Sequence, residues 1–323
     1  MKKALLILAG IIFLVAISGL SYLKLALPNV GPPPDISVEI TSERLIRGQT
    51  IGIACMDCHS ERDYEKFAGP IKPGTFGKGG ELFDQSMGLP GRIIAPNITP
   101  YALKDWTDGE IYRAITAGVS KDNRPLFPIM PYHNFGQLEE EDLYSIIAFL
   151  RTLDPIEYTP EKTKLDFPMN LIVHTIPAQP TRKLKRENGD LIKNGEYIFT
   201  LQGCGDCHTP VDDKGEPLPG MTLAGGMAFE MPTGGILRTS NITPHPTTGI
   251  GSWDEARFIS EFKRFDDSTF VPSSIGHNEY NTFMPWIIYS KMTEDELRAL
   301  YAYLRSIPPV ENKVIKFEVA DNN

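Results

Sequence analysis

Cysteine is scarce in this 323-residue chain: there are four, Cys55, Cys58, Cys204 and Cys207, and all of them fall in two short stretches, "CMDCH" and "CGDCH". Basic charge is also lacking. Lys and Arg total 32 against 41 Asp and Glu, a net charge of -9, which excludes nucleic acid as a partner. Long apolar runs are confined to one place, and strand signals are few. The 41% hydrophobic content still suffices for two ordinary domains with a core in each.

The single apolar run lies at the N-terminus, "MKKALLILAGIIFLVAISGLSYLKLALPNVGPPP", with uncharged residues from Ala4 to Leu23. About 20 such residues cross a bilayer as a helix, and lysines in front of them keep that end in the cytoplasm. A retained membrane anchor is therefore expected. A signal peptide cleaved near Ala16-Ile17-Ser18 is the competing reading. Either way the rest of the chain is exported, to the periplasmic side of a bacterial inner membrane.

Four cysteines in an exported chain would ordinarily suggest two disulfides, but a disulfide has no use for a histidine directly behind each pair. Zinc sites space histidine several residues away, and a thioredoxin-like CxxC needs a βαβ context that is not visible. The five-residue pattern fits covalent c-type haem. Two thiols one helical turn apart form thioethers with the porphyrin, and the next imidazole meets the iron. Cys55, Cys58, Cys204 and Cys207 are the expected attachment points, with His59 and His208 as iron ligands, for two haems in all.

The chain repeats itself. The first half runs CMDCH, GGELF, Arg92, "PNITP", Trp106, "MPY", "LYSIIAFLRTLDP"; the second runs CGDCH, GGMAF, Arg238, "SNITP", Trp253, "MPW", "LRALYAYLRSIPP". His59 and His208 stand 149 residues apart, Asn97 and Asn241 144, Trp106 and Trp253 147, and Met130 and Met284 154. From the methionine onward the match needs no gap, so this is a duplicated domain.

Capping boxes at Thr107–Glu110, Ser252–Glu255 and Thr293–Glu296 predict helix starts, the first running to Ala117 with Gly118 as its stop. Leu143, Ile146, Ile147 and Leu150, like Leu297, Leu300, Tyr301 and Leu304, have the spacing of a buried helical stripe. Helices are also expected over 43–53 and 191–202, with irregular Gly- and Pro-rich loops before each "NITP". The resulting division is 1–34 anchor and Pro-rich tether, 35–156 first domain, 157–188 linker, 189–312 second domain and 313–323 tail. The basic run Arg182–Arg186 reads as a solvated tether and the acidic run Glu139–Asp142 as a helix-dipole feature.

An iron held by histidine on one side needs a ligand on the other. Met130-Pro131 and Met284-Pro285 recur ahead of the last helix of each half; proline pushes the methionine out of the helical region, and a thioether raises the iron's potential. Met130 and Met284 are the expected sixth ligands. His133 and His277 are rivals at unmatched positions; His174 and His245 are unpaired. Arg92, Asn97 and Trp106, with Arg238, Asn241 and Trp253, carry donors suited to haem propionates; a turn held by Asn and a Trp packed in the core is the equal alternative.

On the two CxxCH motifs, the two "NITP" segments, "GIGSW" at 249–253, the Met-Pro pairs and "ALYAYLRSIPPV", the chain resembles diheme c-type cytochromes related to the cytochrome subunits of membrane-bound alcohol and sugar dehydrogenases. The resemblance runs from about Glu43 to Val310. It implies an all-α pair of class I cytochrome c domains with His/Met haems. It also implies a non-catalytic protein passing electrons between a dehydrogenase and a respiratory acceptor, either a terminal oxidase or a soluble cytochrome. Those subunits commonly carry a third haem domain, and this chain has two CxxCH motifs. A diheme peroxidase, needing one open iron, and a diheme subunit of a haem-copper oxidase are the alternatives.

Overall fold

Each half opens on a helix whose N-terminus is closed by a side chain. In the computed structural model, which describes residues 1–212 and 215–319, the order is α1 (Lys2–Leu25), α2 (Ser42–Gly52) and α3 (Cys55–Cys58), then β1 (Leu82–Phe83) and β2 (Gly91–Ile94). Next come α4 (Pro100–Leu103), α5 (Asp108–Ala117), α6 (Tyr132–Phe135), α7 (Glu140–Arg151), β3 (Lys164–Leu165) and α8 (Met169–Ile172). The second half has α9 (Leu191–Leu201), α10 (Cys204–His208), β4 (Ala228–Glu230), β5 (Ile236–Arg238), α11 (Glu255–Lys263), α12 (Trp286–Tyr289), α13 (Glu294–Ser306) and β6 (Phe317–Glu318).

Thr41 accepts from the Arg44 N–H at the start of α2, and Asp190 accepts from the Lys193 N–H at the start of α9. The capping boxes at Thr107 and Thr293 form as expected, and Gly118 ends α5 in the left-handed conformation. The box expected at Ser252 does not form. Asp254 caps α11 instead, accepting from the Arg257 N–H, because a carboxylate two residues closer to the helix is the better acceptor for its free donors.

In both halves the first helix packs on the last. They cross at a glycine: a Cβ on Gly48 would lie 2.2 Å from the Ser145 carbonyl of α7, and one on Gly195 would lie 2.0 Å from the Ala299 carbonyl of α13. The halves are not purely helical. Each adds a three-stranded antiparallel sheet, β1-β2-β3 and β4-β5-β6, where an irregular loop was expected. Strands of two to four residues leave no alternating pattern long enough to read. The third strand of each sheet follows the last helix, so part of the stretch expected as linker, and residues 317–318 of the expected tail, complete the sheets. Residues 320–323 of that tail lie outside the described residues.

One hydrophobic cluster runs through both halves, from Ile51, Leu143 and Leu150 to Tyr197, Leu297 and Leu304. The seam is polar at its rim. Asp142, 1% exposed in the first turn of α7, takes a bidentate pair from Arg47 at 2.8 Å, a hydrogen bond from the Tyr197 hydroxyl at 2.7 Å and a contact from Arg186 at 3.3 Å. Arg47 also reaches Glu296 at 2.6 Å, the residue that matches Asp142 in the second half. Burial alone would raise the Asp142 pKa; Arg47, Tyr197 and Arg186 more than reverse this and hold it below the ordinary carboxylate value.

The basic run is therefore no solvated tether. Leu184 is buried in the shared core with its N–H on the Gln137 carbonyl at 2.7 Å, Lys183 reaches the Leu138 carbonyl, and Arg186 pairs with Glu139 and Asp142. Leu184 within the run turns its neighbours onto the acidic start of α7. The N-terminal tether is docked too: the Val38 N–H donates to Asp108 at 2.8 Å, and the Pro34 carbonyl presses so closely on Gly109 that no Cβ would fit.

Candidate functional site

The short helices α3 and α10 place both CxxCH motifs directly after α2 and α9, with each histidine at the helix end. The two histidines are held in the same way. His59 Nδ1 donates to the Pro96 carbonyl at 2.8 Å and His208 Nδ1 to the Ser240 carbonyl at 2.7 Å. The His59 carbonyl accepts from the Gly79 N–H, and the His208 carbonyl from the Gly225 N–H, each at 2.8 Å. Gly79 and Gly225 have φ of 73° and 70°, and a Cβ on either would lie 2.4 Å from backbone carbon of the segment that holds the imidazole. A carbonyl on Nδ1 fixes the tautomer and leaves Nε2 as a free lone pair. Burial lowers the pKa of both histidines against the carbonyl bond, so both stay neutral, the form that ligates a metal.

None of the four cysteines is in a disulfide. Burial pushes the thiols of Cys55, Cys58 and Cys204 up to about 12, with no cation to oppose it, which is unlike a redox dithiol. Among the described residues no cluster of three or more His, Cys, Asp or Glu is placed to hold a metal ion, so the motifs do not combine into a zinc site. Two neutral thiols one turn apart, a following imidazole with a free nitrogen, and a glycine where a side chain would fill the cradle together fit a covalently attached haem.

Met130 and Met284 sit in matching loops, partly buried against the shared core. Pro131 has φ -79° and ψ 51°, Pro285 -81° and 59°, and both methionine carbonyls accept from the residue two ahead at 2.8 Å. The rival histidines have other engagements. His133 lies 3.6 Å from Asp206, His174 Nδ1 lies 3.4 Å from the Leu27 carbonyl, His245 Nδ1 accepts from the Thr248 N–H at 3.2 Å, and His277 packs against Gly234.

The asparagines of "NITP" are nearly buried and structural. Asn97 donates to the Ile156 and Tyr158 carbonyls and accepts from the Thr99 N–H and hydroxyl; Asn241 donates to the Val310 carbonyl and accepts from the same two groups of Thr243. The amide N–H groups of Asn97 are thus spent on tying the loop to the chain beyond the last helix, not kept for a propionate. Arg92 and Arg238 lie on β2 and β5 beside Glu161 at 3.8 Å and Glu318 at 2.8 Å. Trp106 and Trp253 pack against the core, with carbonyls that accept from Arg151 and Tyr301.

Three features of the site were missed in the sequence: Gly79 and Gly225, whose role shows only as the repeated "GG"; Asn134, which donates to Asp206 inside the second CxxCH at 2.8 Å; and Tyr289. The Tyr289 hydroxyl donates to the Gln202 carbonyl at 2.7 Å. Burial raises its pKa, with Cys204, Cys207 and Cys58 adding to the effect. Each methionine loop also grips the other half. Asn281, three residues before Met284, donates to the Tyr64 carbonyl at 2.9 Å and accepts from the Ala68 N–H at 2.9 Å, beyond the first CxxCH.

Residues 192–308 match the cytochrome c family model. The chain is 27% identical over 305 residues to the fructose dehydrogenase cytochrome subunit of Gluconobacter japonicus, covering 88% of this chain and 57% of that protein. It is 27% identical over 311 residues to a diheme cytochrome c-type protein of Cereibacter sphaeroides, covering 92% and 97%. It is 26% identical over 274 residues to the cytochrome c subunit of the quinone alcohol dehydrogenase of Gluconacetobacter polyoxogenes, covering 79% and 54%. The chain thus spans little more than half the length of the two dehydrogenase subunits and nearly all of the diheme protein. Its second half matches the cytochrome c family model, a match that implies covalent haem c there, and the chain as a whole is similar to cytochrome c subunits of dehydrogenases.

Proposed function

We propose that the chain is a membrane-anchored diheme cytochrome c, exported across a bacterial inner membrane, that carries electrons from a dehydrogenase to a terminal oxidase or soluble cytochrome. The observation that carries this reading is the duplicated histidine cradle: the same Nδ1-to-carbonyl bond and the same glycine N–H on the histidine carbonyl occur in both halves. Haem c, when bound, supplies one-electron exchange between ferrous and ferric iron. Cys55, Cys58, Cys204 and Cys207 would fasten two of them, and His59 and His208 would offer Nε2 in a fixed orientation. Met130 and Met284 would present sulfur from Met-Pro turns, which would close both sites to small molecules and favours a carrier over a peroxidase. Asn134 on Asp206 and Asn281 on the 64–68 loop hold the two sites in register, as a carrier that moves electrons within one chain requires.

Met130→Ala and Met284→Ala test the ligands one at a time. Each should lower the potential of its own centre by on the order of 0.1 V, within the roughly 0.8 V that axial ligands span, and let the reduced protein bind carbon monoxide. Unchanged potentials and no carbon monoxide difference spectrum would contradict the assignment.

A further inference from the structure

Helix α1 is 24 residues long, about 36 Å at the helical rise, against a hydrocarbon layer of about 30 Å, and none of its residues is buried. Its last turn, with Lys24, would therefore stand at the headgroups on the exported side. The chain does not leave this point freely. Residues 173–175, at the far end of α8, pack against α1, His174 Nδ1 lies 3.4 Å from the Leu27 carbonyl, and the Gln179 amide donates to the Val30 carbonyl. The connection between the halves is thus fixed against the foot of the apolar helix. On that connection Phe167 is 79% exposed and Ile172 44% exposed, while Val173 turns inward at 4%. Single exposed apolar side chains are ordinary on any protein surface. These two, with exposed Pro168 between them, bracket one short helix beside the place where α1 leaves the bilayer.

We infer that the segment 166–175 is a second membrane contact, with Phe167 and Ile172 set into the boundary between headgroups and acyl chains. The inference rests on α1 crossing the membrane, and the occupant it commits to is lipid because the exposed side chains lie just ahead of residues 173–175, which pack against α1. Its consequence is orientational: a single helix on a free tether would let the body tumble, whereas a foot on the surface holds both CxxCH motifs at a fixed height and tilt. The Asp166 carboxylate, exposed and bonded to the Gln85 amide at 2.9 Å, would stay on the aqueous side of the headgroups, which limits the contact to a shallow one.

The test uses the full haem-loaded chain in nanodiscs of phosphatidylethanolamine and phosphatidylglycerol, in the air-oxidised ferric state, with one spin label at a time through Val15→Cys, Phe167→Cys or Asp295→Cys. One label per chain checks that the native thiols are blocked. The ratio of oxygen to nickel-chelate relaxation should be highest at residue 15. At residue 167 it should exceed that at residue 295, an exposed position on α13, by about threefold. Equal ratios at 167 and 295, with 15 still high, overturn the foot and leave the anchor standing; equal ratios at all three overturn the anchor with it. Protection of 167 only after a partner protein is added would assign the face to that protein and also overturn the inference.

Discussion

His59 and His208 are held by the same contacts, while the segments around them differ in length and in what they touch. Twenty residues separate His59 from Gly79 but 17 separate His208 from Gly225; 24 separate Trp106 from Met130 but 31 separate Trp253 from Met284. The longer copy of each segment meets the longer copy of the other. The Phe67 N–H donates to the Ser273 carbonyl at 2.9 Å, and the Ile275 N–H to the Glu65 carbonyl at 2.8 Å. Just outside the two short copies, Asn134 and His133 beyond Met130 reach Asp206 ahead of His208 through exposed side chains alone. In both halves the cradle of the histidine is under one set of steric demands, whereas the seam needs two unlike surfaces to make one interface. Repeated contacts thus mark the chemistry and unrepeated ones mark the assembly.

The sharpest way to break the comparison is at Arg47, which bonds both Asp142 and its counterpart Glu296 although its own counterpart is Asn194. Arg47→Met leaves a nearly buried carboxylate with Tyr197 and Arg186, and should lower unfolding stability in denaturant titration by about 3–5 kcal/mol. Asn194→Ala, which loses exposed bonds to the Glu187 backbone, should cost about 1 kcal/mol or less. The contrast depends on pH. The Asp142 pKa is depressed in the folded state, so its stabilisation is full above the unfolded carboxylate value of about 3.9 and is lost as pH falls through the folded value. Wild type and Arg47→Met should therefore begin to converge as pH falls below about 4 and meet only below the depressed folded value.

Symmetric positions should respond alike. Gly48→Ala and Gly195→Ala each drive a methyl into a carbonyl at a helix crossing, and both should lose about 1–3 kcal/mol in thermal unfolding, with the two values within about 1 kcal/mol of each other. The smallest effect is expected at the thin contact: Asn134→Ala should cost about 0.5–1 kcal/mol or less, because its bond to Asp206 is exposed. A large loss there, with no loss at Gly195, would reverse the assignment of cradle and seam.

Much of the candidate site was legible because its residues lie in contiguous patterns. CxxCH, Met-Pro and the capping boxes at Thr107 and Thr293 are each encoded within a few residues. The partners of His59 and His208 were not, since Pro96 and Ser240 act through backbone carbonyls that any residue could supply. The sequence could not choose between the two roles open to Asn97 for a related reason: its donors suit a propionate, but their acceptors here lie at Ile156 and Tyr158, and only the folded chain brings them together. The short sheets and the docked run Arg182–Arg186 likewise depend on surfaces built from both halves.

The most direct measurement is the intact mass of the purified chain, read beside its reduced-minus-oxidised spectrum. Two covalently added haems with six-coordinate low-spin spectra in both oxidation states are expected. A mass gain of one haem or none, or a five-coordinate high-spin centre in the resting protein, would contradict the reading of both halves as electron-carrying haem domains.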